Sequence, residues 1–396
     1  MFDDIIKAAK QNSVSNLEPE QKKLDVEPIK VETMVETHTS THGTAHTHAT
    51  QDTKHDTDTP DEPDEPGDSA NVRISVIGVG GAGCNCIDRL TKDGIKSAKT
   101  FAINTDGKHL KSVSAHKKIL LGKVITRGLG AGGDIYLAKK CAEADRAMLK
   151  EQMGENEIVF ICAGMGGGTG GGAAPVIAQI AKEQGSIVIS IVTYPFALER
   201  VRLKKAQESI QNLVKYSDTV VVIDNNRLSK YFPNLPITQA FELADSITAR
   251  AVTGITDTIT FPSLMNVDFA DVRAVMQDGG VAMISLGEAS GMGMIDAVVK
   301  DTLEHPLLDV NYEGARGSLI HIEGGPGLTL GDAIKIGETL TATFDPNASI
   351  KIGARVNQSY GDKVRVTAII TGVKSPFILK SEEAEEIREQ ESIQFL

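Results

Sequence analysis

From Val72 onward the chain alternates continuous apolar runs with glycine turns and with segments whose apolar residues recur every three or four positions. Runs such as "VRISVIG", "AKTFAIN", "EIVFICAG" and "SIVISIVT" offer no polar face, which marks strands buried on both sides. The first three lead through glycines into helical segments, "VGGAGCNCIDRLTK", "TDGKHLKSV" and "MGGGTGGGAAPVIAQIAKEQG". Strands alternating with helices predict an α/β fold with a parallel sheet, whose ligands bind at the carboxyl ends of the strands. In "ITQAFELADSITARAVTGITDTI", Ala240, Leu243, Ala244, Ile247 and Ala251 share one face of a single long helix placed at 237–260. That helix closes a first domain at 71–260 and leads to a loop and short helix at 261–284. A smaller α+β domain at 285–373 follows, with strands "SLIHIEG" and "KVRVTAIITGV" and helix "TLGDAIKIGETLTATF".

The two ends read differently. "MFDDIIKAAK" sets Phe2, Ile5, Ile6 and Ala9 at helical spacing, a short amphipathic helix at 1–11 suited to docking on a partner or a membrane. Residues 12–70 are rich in Thr, His, Asp, Glu and Pro and too poor in large apolar side chains to fold alone, so they read as a disordered linker. Five of the nine histidines lie there, at 38, 42, 46, 48 and 55, but nothing fixes a metal geometry. The tail at 374–396 is charged and ends in the apolar plug "SIQFL".

Charge and composition narrow the classes. Of a net charge of -12, residues 1–70 hold most, with 16 Asp and Glu against 6 Lys and Arg, which argues against nucleic acid as a partner. No apolar run approaches the roughly 20 residues that cross a bilayer, and the first residues lack a signal-peptide pattern, so a cytoplasmic protein is expected. Cys84, Cys86, Cys141 and Cys162 have no paired spacing and read as reduced, buried thiols rather than zinc ligands.

Between Gly164 and Gly172 seven of nine residues are glycine, an entropic cost that a fold avoids unless bare backbone is needed. A strand-to-helix glycine loop turns main-chain N–H groups inward as an anion cradle, with a helix expected from about Ala173 and Pro175 in its first turn. "GVGGAG" at 78–83 fits the dinucleotide pattern G-x-G-x-x-G, which by itself leaves an NAD-dependent enzyme open. A third loop, "RGLGAGGD" at 127–134, adds more glycine; three such loops suit a string of phosphates.

"GMGGGTGGGAAP" resembles the tubulin signature loop G-G-G-T-G-[ST]-G. "VGGAGCN", "INTD", "TYPFALER", "AFELAD" and "LMNVDFADVRAVM" occur in the order seen in FtsZ, the tubulin-like division GTPases, from about Val72 to Val373. "PFALERVR" and "IDNNRL" are most similar to the second archaeal paralogue group. The resemblance implies a tubulin/FtsZ-type GTPase domain joined by the central helix to the α+β domain, with GTP/GDP bound and Mg2+ held through phosphates and water. It places the phosphates on Gly80, Gly81, Ala82, Gly83, Cys84 and Asn85, and on Gly166, Gly167, Gly168, Thr169 and Gly170. Asn104, Asp106, Gly130, Ala131 and Gly132 complete that end, Glu199 and Arg202 take the ribose and phosphate contacts, and Asn225, Phe241 and Asp245 form the base pocket. It also implies catalytic Asp268 and Asp271, with Asn266 in the same loop, acting on the nucleotide of the next subunit in a head-to-tail filament. Self-assembly, membrane-tethering partners at the tail and a mid-cell division ring follow from the same resemblance.

The implied roles agree with the chemistry of the residues. Phe241 and Asp245 stand four apart on a helix, where a ring stacks on a base and a carboxylate accepts guanine's two adjacent N–H groups; core packing and a solvated helix face are the plain alternatives. Asp268 and Asp271, three apart at a helix start, orient a water, unless Asp268 only caps the helix. The chain departs from the family at Gly171, where a Ser or Thr is usual, which leaves open a non-hydrolysing regulatory paralogue. "ER" stands where the family has "EG", so Arg200 competes with Arg202. His109, His116, His305 and His321 are scattered and give a dehydrogenase no catalytic acid.

Overall fold

Valine and isoleucine dominate the apolar runs, and their branched side chains favour the extended backbone of a strand buried on both faces. The computed structural model describes residues 72–227, 234, 236–260, 265, 267–277, 279–291, 293–303 and 312–373. The helix expected at 1–11, the linker at 12–70, the tail at 374–396 and Asn266 lie outside the described residues. Strands β1 (Ile74–Val79), β2 (Lys99–Asn104), β3 (Lys117–Leu120), β4 (Ile158–Gly164), β5 (Ile187–Tyr194) and β6 (Thr219–Asp224) are parallel, in the order β3-β2-β1-β4-β5-β6. Among them run α1 (Gly80–Lys92), α2 (Gly107–Ser112), α3 (Lys123–Thr126), α4 (Ile135–Ala144), α5 (Arg146–Met153), α6 (Gly168–Glu183) and α7 (Arg200–Val214). Ile77, Ile161, Ile177 and Leu213 belong to the core packed about this sheet.

Strand order reverses between β1 and β4, and at such a switch the loops leaving the two carboxyl ends part to form a crevice. Register pairs Gly78 with Cys162 and Val79 with Ala163, so the turn after β1 and the glycine turn after β4 lie side by side.

The helix expected from Ala173 begins at Gly168 instead, and Pro175 stands inside α6 rather than in its first turn. Glycine in a helix interior costs about 1 kcal/mol against alanine. Packing overrides that cost: a Cβ on Gly172 would lie 2.0 Å from the Ile135 carbonyl oxygen, and one on Gly170 2.5 Å from that of Gly164. Bare backbone lets α6 sink against α4 and the end of β4, and it is buried without a break from Gly168 to Ala178.

The long helix α8 (Ile237–Thr260) has 24 residues, about 36 Å at 1.5 Å per residue. Near its start Phe241 touches Phe196, just beyond the carboxyl end of β5. Near its end Asp257 Oδ1 accepts a 2.8 Å hydrogen bond from Ser97 Oγ, just before the amino end of β2. α8 therefore runs from the carboxyl edge of the sheet to its amino edge.

Beyond it come α9 (Phe269–Met276), β7 (Gly280–Ser290), α10 (Met294–Leu303), β8 (Gly317–Gly324), α11 (Leu330–Leu340), β9 (Ser349–Val356) and β10 (Lys363–Thr371). β7 joins β6 in parallel at Thr219↔Gly280, and the sheet continues β7-β10-β8-β9 with antiparallel pairs on both sides of β10. Because β7 starts at Gly280, the α+β unit begins inside the segment assigned to the loop and short helix, not at residue 285. Ile320, Ile336, Leu340 and Val366 centre its own core.

Candidate functional site

α1 starts directly where β1 ends. Gly80 has φ +76, and a Cβ there would lie 2.8 Å from the main-chain nitrogen of Gly170, so the amino termini of α1 and α6 meet in the crevice. Two helix starts aim free N–H groups and their positive dipole ends at one place, a ready site for phosphates. In α6 the Gly171 N–H already bonds the Gly167 carbonyl at 3.1 Å, leaving the N–H groups of Gly168, Thr169 and Gly170 for a ligand. Gly81, Ala82 and Asn85 are exposed. Gly83 lies flat on β4, its missing Cβ 2.1 Å from the Cys162 carbonyl oxygen. The Cys84 thiol points to the carbonyls of Gly78 and Ile103, and burial pushes it up to about 12. It brings no side-chain atom to the crevice. All four cysteines are free and buried, as the sequence suggested.

The loop after β2 and the third glycine loop complete this end. The Thr105 and Thr169 hydroxyls share a 2.7 Å hydrogen bond, and the Gly130 N–H donates to the Thr105 carbonyl at 3.1 Å. Ala131 packs on Gly168, its Cβ 3.1 Å from where a side chain there would start, and Gly132 meets open space. Asn104 Oδ1 accepts from the Asp106 N–H at 3.2 Å, while Asp106 Oδ1 caps α2 by accepting from Lys108 and His109. The sequence reading set His109 among the scattered histidines and gave it no place at this site. Its Nε2 lies 3.0 Å from Asn85 Oδ1 and its Nδ1 3.4 Å from Asn104 Nδ2, so one imidazole ties the first loop to the second. Its only signal was position, three residues after Asp106 in "INTDGKH".

On the opposite wall Gly166 has φ +80, and a Cβ there would lie 2.8 Å from the Arg202 carbonyl oxygen. Arg202 thus lies against the signature loop, with its guanidinium paired to Glu199, whose Oε1 accepts from the Phe196 N–H at 3.1 Å. Arg200 is exposed at the start of α7.

The residues expected at the far end of the crevice are Phe241, Asn225 and Asp245. Phe241 is 44% exposed and meets the Phe196 ring edge-on at 5.8 Å, which sets aside core packing. Asn225 is buried, and its Oδ1 has no hydrogen-bond partner among the described residues, a deficit that a ligand N–H or O–H would remove. Asp245, one turn after Phe241, is no solvated residue: burial pushes its carboxyl up to about 7, against the opposing charge of Arg89, with Glu242 adding to the rise.

Asp268 and Asp271 do not join this cluster. They follow the other end of α8, where Met265 and Ala354 of β9 exchange N–H···O bonds of 3.3 Å. Asp268 does cap α9, its Oδ1 accepting from the Asp271 N–H at 2.7 Å, and the Asp268 N–H points back to Asp271 Oδ2 at 3.4 Å. Lys351 Nζ sits 2.6 Å from Asp271 Oδ1 and holds that carboxyl below its usual range. Gly171 is equally settled by packing: a side chain there would start 2.4 Å from Ser209 Oγ and 3.1 Å from Ile135, facing α7 and α4. Among the described residues no helix is long and apolar enough to cross a membrane.

Comparison with known proteins agrees with this architecture. Residues 73–233 match the tubulin/FtsZ family, GTPase domain, and residues 280–374 the FtsZ family, C-terminal domain. The chain is 55% identical over 310 residues to cell division protein FtsZ 2 of Methanocaldococcus jannaschii, covering 78% of this chain and 82% of that protein. It is 50% identical over 307 residues to FtsZ 2 of Halobacterium salinarum, covering 78% of each. Its structure is similar to an empty FtsZ dimer of M. jannaschii, with TM-score 0.73 and 45% identity over 76% of this chain and 88% of that one. The fold also extends to CetZ2 of Haloferax volcanii, with TM-score 0.68 and 22% identity over 81% of this chain and 100% of that one. A dehydrogenase reading of "GVGGAG" does not survive these matches. With both of its domains matched and its relatives so close, the chain belongs to the FtsZ family of tubulin-like cell-division GTPases.

Proposed function

We propose that the chain binds GTP in the β1/β4 crevice, assembles head to tail, and hydrolyses GTP where the acidic pair of one subunit reaches the crevice of the next. The observation that carries this reading is the separation of the two half-sites. Phe241 lies near the start of α8 beside the crevice, and the acidic pair comes only after the far end of the helix, about 28 Å further along its axis, too far to act on the nucleotide of its own chain. Repeating such a front-to-back contact gives an open filament. The empty dimer among the similar structures is consistent with self-association.

Within the site, main-chain N–H groups at the starts of α1 and α6 hold the phosphates. Glu199 and Arg202 flank the sugar, their mutual pair opening to receive it. Phe241 stacks on the base, and Asn225 and Asp245 read its edge; a carboxylate accepts from guanine's two adjacent N–H groups, and adenine presents no such pair. Asn104 and Asp106 would hold Mg2+ through phosphate oxygens and water, and when bound the ion would supply neutralisation of the charge that develops on the phosphates. Asp271 orients the attacking water, with Asp268 and Asn266 beside it. The acidic tail and the first ten residues connect the filament to membrane-tethering partners at a mid-cell ring. The second reading, a non-hydrolysing regulatory paralogue, rests on Gly171, where a side chain would start 2.4 Å from Ser209 Oγ; steady phosphate release from assembled protein separates the two.

Replacing Asp271 with alanine tests the assignment. GTP affinity is expected to stay within about twofold, while turnover of assembled protein falls by at least ~100-fold. Loss of binding would show that the loop shapes the crevice instead.

A further inference from the structure

β9 is the last strand of the sheet, and its two faces differ. Ile352 turns toward α11, where it fills the space over Gly337. Lys351 and Gly353, one residue to either side, take the other face. There Gly353 lies flat under the acidic loop, since a Cβ would come 3.1 Å from Val267 and 3.4 Å from the Met265 carbonyl oxygen. The Met265–Ala354 bridge fastens the same loop to the strand. Lys351 is thus carried to the start of α9, where its ammonium meets Asp271 Oδ1 at 2.6 Å and feels Asp268 as well. Asp271 Oδ2 has only the 3.4 Å contact from the Asp268 N–H, so the ammonium is its carboxylate's close partner among the described residues. In the sequence "SIKIGARV" this lysine reads only as the polar position of an alternating strand.

We infer that Lys351 is the positioning residue of GTP hydrolysis: it anchors one oxygen of Asp271 to β9, so that the other is presented to the water on the neighbouring subunit's nucleotide. The inference rests on the proposed role of Asp271. A partly exposed ion pair of this kind adds little to stability, so its loss is expected to leave the fold intact. Misplacing a catalytic group costs rate rather than binding. The ammonium also keeps the carboxyl ionised, so without it the carboxyl takes up its proton at higher pH.

The test compares full-length wild type, Lys351→Met, Lys351→Arg and Asp271→Asn for GTP affinity, sedimentable polymer and the pH profile of turnover in assembled protein. Lys351→Met is expected to bind GTP and assemble normally, to turn over about tenfold more slowly, and to show the acid limb of its profile displaced to higher pH. Lys351→Arg restores most of the rate. Wild-type turnover and profile in Lys351→Met, or no recovery in Lys351→Arg, overturns the inference. Should Asp271→Asn hydrolyse GTP at the wild-type rate, it is the assignment of Asp271 itself that fails.

Discussion

In the proposed base pocket, Asp245 sets a condition on ligand recognition. Its carboxyl is pushed up to about 7 by burial, so in the empty crevice it is neutral at pH 6 and ionised at pH 8. Guanine offers two donors and therefore needs the ionised form, and the proton must leave before the base can bind. GTP affinity should fall as pH drops below about 7, approaching tenfold per unit. For folding the sign is opposite: the raised value favours the protonated native state, so this group's contribution to stability declines as pH rises from about 4 to about 7. Measuring Kd for GTP from pH 8 to pH 6 in wild type and Asp245→Asn checks this, since the nucleotide phosphates titrate equally in both. Parallel profiles would contradict it. Phe241 and Asp245 entered through the family resemblance; what the sequence itself made legible is that four-residue spacing sets them on one face of a helix. Phe196, His109 and Lys351 were not legible, because the groups they meet, Phe241, Asn85 and Asp271, come to them through the fold.

At the level of elements, glycine in α6 serves packing as much as ligand approach. The sequence predicted the strand, the glycine turn and the helix, but placed the helix start at Ala173 because propensity disfavours glycine in helices. What propensity could not contain is the neighbouring backbone: the Ile135 carbonyl occupies the space where a side chain on Gly172 would begin. Gly172→Ala therefore sets a propensity gain of up to ~1 kcal/mol against overpacking of about 1–3 kcal/mol or more. The prediction is a net loss of stability, seen as a lower midpoint in thermal or denaturant unfolding. Gly81→Ala is the control, since a Cβ there meets nothing within 4 Å, and its stability should be unchanged or slightly raised. A Gly172→Ala protein as stable as wild type would refute close packing as the reason for the run. The short edge strand β3 was missed for a related reason. "KKIL" is too brief and too polar to stand out, and only its register with β2, from Phe101↔Lys117 to Asn104↔Leu120, makes it a strand.

At the scale of the whole molecule, the parallel sheet presents its glycine loops at one edge, and α8 carries the chain past the other before the acidic pair appears. The division into a GTPase domain and an α+β domain was readable because each has its own apolar rhythm, while their junction was not, since β7 pairs across it with β6. Sharing of the site between subunits is the claim on which the functional account depends. It is tested most directly by holding wild-type protein below the concentration at which it turns over GTP, then adding an excess of Asp271→Ala protein. The added subunits keep an intact crevice but lack the acid, so mixed filaments should bring wild-type acidic pairs onto mutant-bound GTP and raise phosphate release. Phosphate release that stays flat, or that is already proportional to wild-type concentration in dilute monomers, would contradict a site completed by the neighbour.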